Sequence, residues 1–306
     1  MSAWEDRVPV APGVSLRARV DDGPAGAPTV VLVNGLMMAI EAWQGLVDDL
    51  SADHRVVRYD QRGQGGSDDP DGPHRIETHA DDLVALVEHL TNHRGLGPFH
   101  LVGLSSGAPA AVLAAAAIEA AAPGRVLSLT SCDGFVAADA HLRLVVRAWL
   151  AAHEVGGAPH RFDVATPWVW GQAFLRDQEE ALAGWRAAAA TTDPRRAHAL
   201  IAGMAAFEAD AGPALATLRC PVLALHGEDD VMTPARHGRA LLRHAADGRL
   251  AIVPEAGHAA PIERPTAVAA ALRAFWAEAG GRSADAAAPQ PSGAAGVPPA
   301  PREETR

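Results

Sequence analysis

Phe99-His100-Leu101-Val102-Gly103-Leu104-Ser105-Ser106-Gly107-Ala108-Pro109-Ala110 is the stretch on which the fold turns. Its first part, Phe99–Leu104, is a short apolar run that reads as a buried strand, and Ala110–Ala122 reads as an alanine-rich helix. Between them lies a Gly-x-Ser-x-Gly pentapeptide. A serine on so tight a strand-to-helix turn is forced out of the backbone plane with its hydroxyl exposed. The N–H groups beside it sit at a helix N-terminus, where developing negative charge is stabilised. Glycines flank it because a Cβ at either position would crowd the turn. Pro109 is tolerated in the first helical turn, where its missing N–H would lack a partner anyway. With 29 glycines in 306 residues, chance supplies such a pentapeptide in roughly one chain in ten, so the surrounding strand and helix carry the inference.

Outward from this turn, strands and helices alternate. Val14–Val20 has a period of two and suits an antiparallel or edge strand. Thr29–Val33, Arg55–Tyr59, Val126–Cys132, Val222–His226 and Leu250–Val253 are short apolar runs bounded by Gly, Pro, Asp or Asn, as expected of strands buried on both faces. Helical stretches lie near Trp43–Leu50, His79–Leu90, Pro234–Ala245 and Pro265–Ala277. The pattern predicts an α/β protein with a mostly parallel sheet of about eight strands flanked by helices. In such sheets, sites collect at the carboxyl ends of the strands.

One segment breaks the alternation. From Gly134 to Ala216 the chain is helix-prone (Leu142–Ala152, Phe174–Ala190, Ala197–Ala209) and holds four of the seven tryptophans, Trp149, Trp168, Trp170 and Trp185. The expected organisation is therefore a core domain of residues 1–133 and 217–279, a helical cap of residues 134–216, and a disordered tail of residues 280–306 rich in Ala, Pro, Gly and Ser. Trp168 and Trp170 are candidate substrate-binding residues, weighed against a plain anchoring role.

Bulk properties narrow the function. A formal charge of −11 argues against nucleic acid or an anionic membrane surface as partner. The two cysteines, Cys132 and Cys220, lie in or beside strands and read as reduced core thiols. No basic-then-apolar leader opens the chain, and no run approaches the ~18 apolar residues of a membrane span. The expectation is a soluble cytoplasmic protein acting on a small molecule, without cofactor or metal. The oligomeric state is not legible. His89 and His93 share a helical spacing, but no third ligand follows them.

A serine hydroxyl is a weak nucleophile that needs a base oriented by an acid. His258, in the loop after the last strand, is the candidate base. Asp230, Asp229 and Asp133 all follow strands and are candidate acids; adjacent Asp229 and Asp230 cannot both face one imidazole. His226 precedes the acid loop and suits a role in ordering it. Two backbone N–H groups should hold the oxyanion of acyl chemistry. Ser106 supplies one candidate, and Leu36, in the turn Asn34-Gly35-Leu36 after Thr29–Val33, supplies the other.

Together these residues resemble the α/β-hydrolase superfamily over about residues 10–133 and 217–278. Asp60-Gln-Arg62-Gly63-Gln-Gly65-Gly-Ser67 is similar to the family's D-x-R-G-x-G-x-S loop, a structural element. Gly227-Glu-Asp-Asp230 with Thr233-Pro234 resembles its acid loop, with the acid three residues after glycine, which favours Asp230. Gly257-His258 with Glu263-Arg-Pro265 resembles its histidine loop.

The resemblance implies a Ser105–His258–Asp230 triad with Leu36 and Ser106 as oxyanion donors, in an enzyme similar to small-ester and enol-lactone hydrolases. Serine at the elbow sets the chain apart from the dehalogenases and epoxide hydrolases of the superfamily, which use aspartate there. Two positions depart from the pattern: Asn34-Gly35 replaces the usual His-Gly, and Ala108 replaces a glycine. Asn-Gly followed by Trp43 is similar to a subgroup that includes the synthase of the 3-hydroxyacyl precursor of rhamnolipids, unless Asn34 merely bonds its own turn. The expected function is hydrolysis of an ester, lactone or thioester with an apolar acyl part. Acyl transfer to an alcohol or thiol, and weakly catalytic ligand binding, are the alternatives.

Overall fold

The computed structural model describes residues 3–287. Eight strands form one sheet: β1 (Ala3–Ala11), β2 (Val14–Asp21), β3 (Thr29–Val33), β4 (Arg55–Tyr59), β5 (Phe99–Leu104), β6 (Val126–Cys132), β7 (Val222–Gly227) and β8 (Gly248–Val253). Their order is β1-β2-β4-β3-β5-β6-β7-β8. β2 runs antiparallel to both β1 and β4, and all later pairings are parallel.

Burial explains the sequence patterns. Every residue of β3 and of β5 is buried, so both read as unbroken apolar runs, whereas β2 alternates buried and partly exposed positions. β1 is the strand that pattern reasoning misses. Trp4-Glu5-Asp6-Arg7-Val8-Pro9 carries three charges and a proline, which the sheet edge tolerates.

Helices cover both faces. α1 (Gln44–Leu50), α2 (Ile76–Arg94) and α3 (Gly107–Ala121) follow β3, β4 and β5. One apolar layer joins Leu83 and Leu86 of α2 and Val112 of α3 to Val31 and Leu101 of the sheet. The other joins Leu46 and Leu50 of α1 to Val30, Leu32, Val102 and Leu225 of the sheet and to Leu272.

Between β6 and β7 lie helices alone: α4 (Ala140–Val169), α5 (Gln172–Asp177), α6 (Glu179–Ala189), α7 (Pro194–Ala205) and α8 (Gly212–Leu215). α4 is much longer than Leu142–Ala152. It breaks at Gly157, with φ +68°, and resumes at once, so the Gly156-Gly157-Ala-Pro159 stop signal marks a kink rather than an end. α6 buries none of its residues. α9 (Arg236–Leu242), α10 (Ala260–Glu263) and α11 (Pro265–Ala287) complete the chain. α11 continues past Ala277, and most of the tail expected from residue 280 lies outside the described residues. Among the described residues no helix is long and apolar enough to cross a membrane.

Candidate active site

The chain steps from β3 to β4 on one side of β3 and to β5 on the other, so the loops after β3 and β5 face each other at a topological switch point. Non-glycine residues with positive φ gather at this edge. Among the described residues they are Met37 after β3, Ser105 after β5, Asp133 after β6 and Glu255 after β8, with φ of +61°, +53°, +45° and +55°. Backbone strain held in this way is common where side chains are aimed for a purpose.

Ser105 occupies the turn between β5 and α3. Its N–H donates to the Cys132 carbonyl at 2.9 Å, and its own carbonyl accepts from the Ala108 N–H at 3.0 Å. The flanking glycines are required by their neighbours. A Cβ on Gly103 would lie 2.5 Å from the Gly107 carbonyl oxygen, and one on Gly107 would lie 2.4 Å from that of Asn34. The β3 turn therefore packs directly against the serine turn.

His258 Nε2 lies 2.8 Å from Ser105 Oγ, and its Nδ1 lies 3.1 Å from Asp230 Oδ2. All three residues are buried. Asp229 is exposed, and its neighbour Asp230 points inward. Asp230 Oδ1 accepts from the N–H groups of Met232 and Thr233 at 2.8 and 2.9 Å. Burial pushes its carboxyl up, but His258 and these hydrogen bonds outweigh that and hold it below its ordinary value.

Asp133 has a different task. Its Oδ1 accepts from the Gly227 N–H at 2.7 Å and its Oδ2 from the Ala260 N–H at 3.0 Å, which ties the acid loop to the histidine loop. Burial and the neighbouring Asp230 charge raise its pKa well above the ordinary range.

Two residues on this edge were quoted from the sequence only as motif letters. Thr233 Oγ1 stands 2.8 Å from Asp230 Oδ2, 2.9 Å from His258 Nδ1 and 2.7 Å from the Asp133 carbonyl oxygen. Its hydroxyl thus has two acceptors for its one proton, and its lone pair faces the imidazole. Glu263 is buried among backbone donors, accepting from Gly171, Gly257 and Ala259 at 2.9, 3.0 and 3.2 Å. Burial raises its pKa above the usual value, with those three N–H groups working against the rise. The spacing Thr-Pro and Glu-Arg-Pro signals these positions, but some of their hydrogen-bond partners, His258 and Asp133 for Thr233 and Gly171 for Glu263, come from distant segments.

His226 Nδ1–H donates to the Thr233 carbonyl at 2.9 Å and so orders the acid loop; burial pushes its pKa down to about 4. Asp133, His226 and Asp230 lie close enough together to suggest a metal site. Both carboxylates and the His226 Nδ1 are already engaged by the hydrogen bonds just described, while His226 Nε2 is buried without a partner.

The Leu36 and Ser106 N–H groups donate to no acceptor among the described residues, and both flank Ser105 in space through the Gly35 and Gly107 contacts. Asn34 does more than bond its own turn. Its fully buried amide accepts from Trp43 Nε1 at 2.7 Å and approaches Gln64 Oε1 at 3.3 Å and the Met38 carbonyl at 3.4 Å. Gln64, in the Asp60–Ser67 loop, donates to the Gly35 carbonyl at 3.0 Å. Asp60 accepts from the Ile40 and Gly66 N–H groups, each at 2.8 Å. That loop braces the β3 turn from behind.

The Trp168 ring packs against His141 with centroids 5.6 Å apart. Trp170 stacks on Phe174 at 4.6 Å and lies 5.8 Å from Trp185, forming an aromatic trio across α5 and α6. Val169 between them accepts from the His258 N–H at 2.7 Å, so these helices do reach the histidine loop.

Residues 30–271 match the model of the alpha/beta hydrolase family. The 3-oxoadipate enol-lactonase 2 of Acinetobacter baylyi is 27% identical over 269 residues, spanning 82% of this chain and 90% of the relative. Among solved structures, an esterase from Thermogutta terrifontis superposes with a TM-score of 0.76 at 26% identity, covering 91% of this chain and 99% of that one. An enol-lactonase from Burkholderia xenovorans superposes with a TM-score of 0.74 at 27% identity, covering 89% and 100%. The chain belongs to the alpha/beta hydrolase family, and it is a hydrolase of that fold.

Proposed function

We propose that the protein cleaves a carboxylic ester or lactone, enol-lactones included, through an acyl-enzyme on Ser105. The observation that carries this reading is the 2.8 Å approach of His258 Nε2 to Ser105 Oγ with Asp230 on the opposite ring nitrogen. Ser105 Oγ attacks the carbonyl carbon while Nε2 takes its proton. Asp230 keeps Nδ1 protonated and stabilises the imidazolium. The Leu36 and Ser106 N–H groups receive the oxyanion. His258 then protonates the departing alcohol or enolate. It next deprotonates a water that attacks the acyl-enzyme, and the returning proton frees Ser105.

The relatives named enol-lactonase and esterase support this substrate class. Residues 134–216 act in this reading as a cap, with Trp168 and Trp170 among its apolar contributions to the substrate space. Labelling with a fluorophosphonate tests the nucleophile. Native protein should be labelled and Ser105→Ala should not, and the variant should lose about 10⁴- to 10⁶-fold in kcat toward a 4-nitrophenyl ester. Failure of the native protein to label would overturn the reading.

A further inference from the structure

The peptide group between Gly35 and Leu36 carries one of the two N–H groups assigned to the oxyanion, and its carbonyl is held from behind. Gln64 Nε2 donates to the Gly35 carbonyl at 3.0 Å. The peptide is trans, so its C=O and N–H lie in one plane and point in opposite directions. Fixing the carbonyl therefore aims the Leu36 N–H away from Gln64. Gly35 itself is seated on the nucleophile: a Cβ there would lie 3.3 Å from Ser105 Cβ and 3.2 Å from the Leu104 carbonyl oxygen.

The orientation of Gln64 is set by a chain of side chains that starts at a group able only to donate. Trp43 Nε1–H donates to Asn34 Oδ1 at 2.7 Å. That turns Asn34 Nδ2 toward Gln64 Oε1, 3.3 Å away. Gln64 Nε2 then gives one proton to the Gly35 carbonyl and the other to Gln61 Oε1, at 3.1 Å. Trp43, Asn34, Gln61 and Gln64 are all buried. Turning the Gln64 amide over would set its oxygen against two acceptors and its nitrogen against a donor, with little solvent to compensate.

We infer that Gln64 is a positioning residue for the oxyanion. It holds the plane of the Gly35–Leu36 peptide and, by donating to the carbonyl, strengthens the N–H on the other side as a donor. This rests on the serine-hydrolase reading with Leu36 as an oxyanion donor, and it gives the Asp60–Ser67 loop a part in the chemistry without touching substrate. A substrate carbonyl draws little on that N–H and the tetrahedral oxyanion draws much, so the contribution falls on the transition state.

Gln64→Met keeps the length of the side chain and removes both donors. With 4-nitrophenyl butyrate its kcat should fall about 10- to 100-fold, part of what loss of a whole oxyanion donor costs. An alkyl trifluoromethyl ketone takes Ser105 Oγ onto its carbonyl carbon, with the proton passing to His258, and so becomes an oxyanion. Its Ki should rise about 10-fold or more, while the Ki of the methyl ketone of the same chain, which stays a ketone, should hold within about twofold. Trp43→Phe removes the first donor of the chain and should shift these quantities the same way by a smaller factor.

A side chain that merely supports the fold would lower the melting temperature and leave the ratio of the two inhibition constants unchanged. That unchanged ratio, in protein still labelled by a fluorophosphonate, overturns this inference alone. A crystal structure of native protein phosphonylated on Ser105 decides the matter if Gln64→Met does not fold. Gln64 Nε2 on the Gly35 carbonyl and a phosphonyl oxygen within about 3.1 Å of the Leu36 nitrogen support it. Gln64 turned away, or the oxygen held elsewhere, overturns it. Native protein that takes up no phosphonyl group overturns the Ser105 reading and this inference with it.

Discussion

The loops around His258 and the helix α6 are held by different means. Around His258, four buried polar side chains (Asp133, Asp230, Thr233 and Glu263) tie three loops together through backbone donors, and little there can shift alone. α6 buries no residue and is held by Trp185 against Trp170 and Phe174 and by Arg186 against Asp163. Chemistry that needs sub-ångström alignment sits on the first kind of structure. In the proposed function, selection among substrates, which tolerates and even profits from adjustment, falls to the second.

The sharpest way to break this comparison is at the acid. Asp230→Asn keeps the shape but presents the wrong hydrogen-bonding group to Nδ1, and should cost about 10³- to 10⁴-fold in kcat with little change in melting temperature. Asp133→Asn should do the reverse, sparing most of kcat and lowering stability. A comparable kcat loss in both would remove the distinction between the two carboxylates. A smaller effect is expected at the tie between the regions. Glu263→Ala strands three buried N–H groups and should lower unfolding free energy by about 2–4 kcal/mol, with Glu263→Gln recovering part of it in urea titrations. Trp185→Ala should be the mildest, costing less than about 1 kcal/mol because the ring is more than a third exposed, and its effect should fall on KM. A stability loss there as large as that of Glu263→Ala would show α6 to be as firmly built as the histidine loop.

The same division decides what the sequence discloses. Strands buried on both faces announce themselves, and Thr29–Val33, Arg55–Tyr59, Phe99–Leu104 and Val126–Cys132 fall where their apolar runs place them. β1 does not, because it is an edge strand and its charges face solvent. Ser105 and His258 were legible from glycine-rich turns at fixed places along the chain. The choice of Asp230 over Asp133 needed family spacing, since both are aspartates at strand ends. Thr233 and Glu263 escape sequence reasoning for a further reason. Their meaning lies in partners 25 to 100 residues away, such as Gly171 for Glu263 at a separation of 92.

Gly171 and Gly257 meet backbone to backbone. A Cβ on Gly257 would lie 2.3 Å from the Gly171 nitrogen, and one on Gly171 would lie 2.7 Å from the Gly257 nitrogen. The stretch between β6 and β7 is therefore moored partway along its length as well as at its ends. For anyone exchanging this stretch for that of another hydrolase, the movable unit is not the whole excursion. Residues 140–171 would have to travel with a matching histidine loop, and α7 with the segment around His74, whose N–H donates to the Ala199 carbonyl, whereas α6, which buries no residue, could be swapped, lengthened or trimmed by itself. The pair of glycines marks one of the places where two distant loops must be redesigned together.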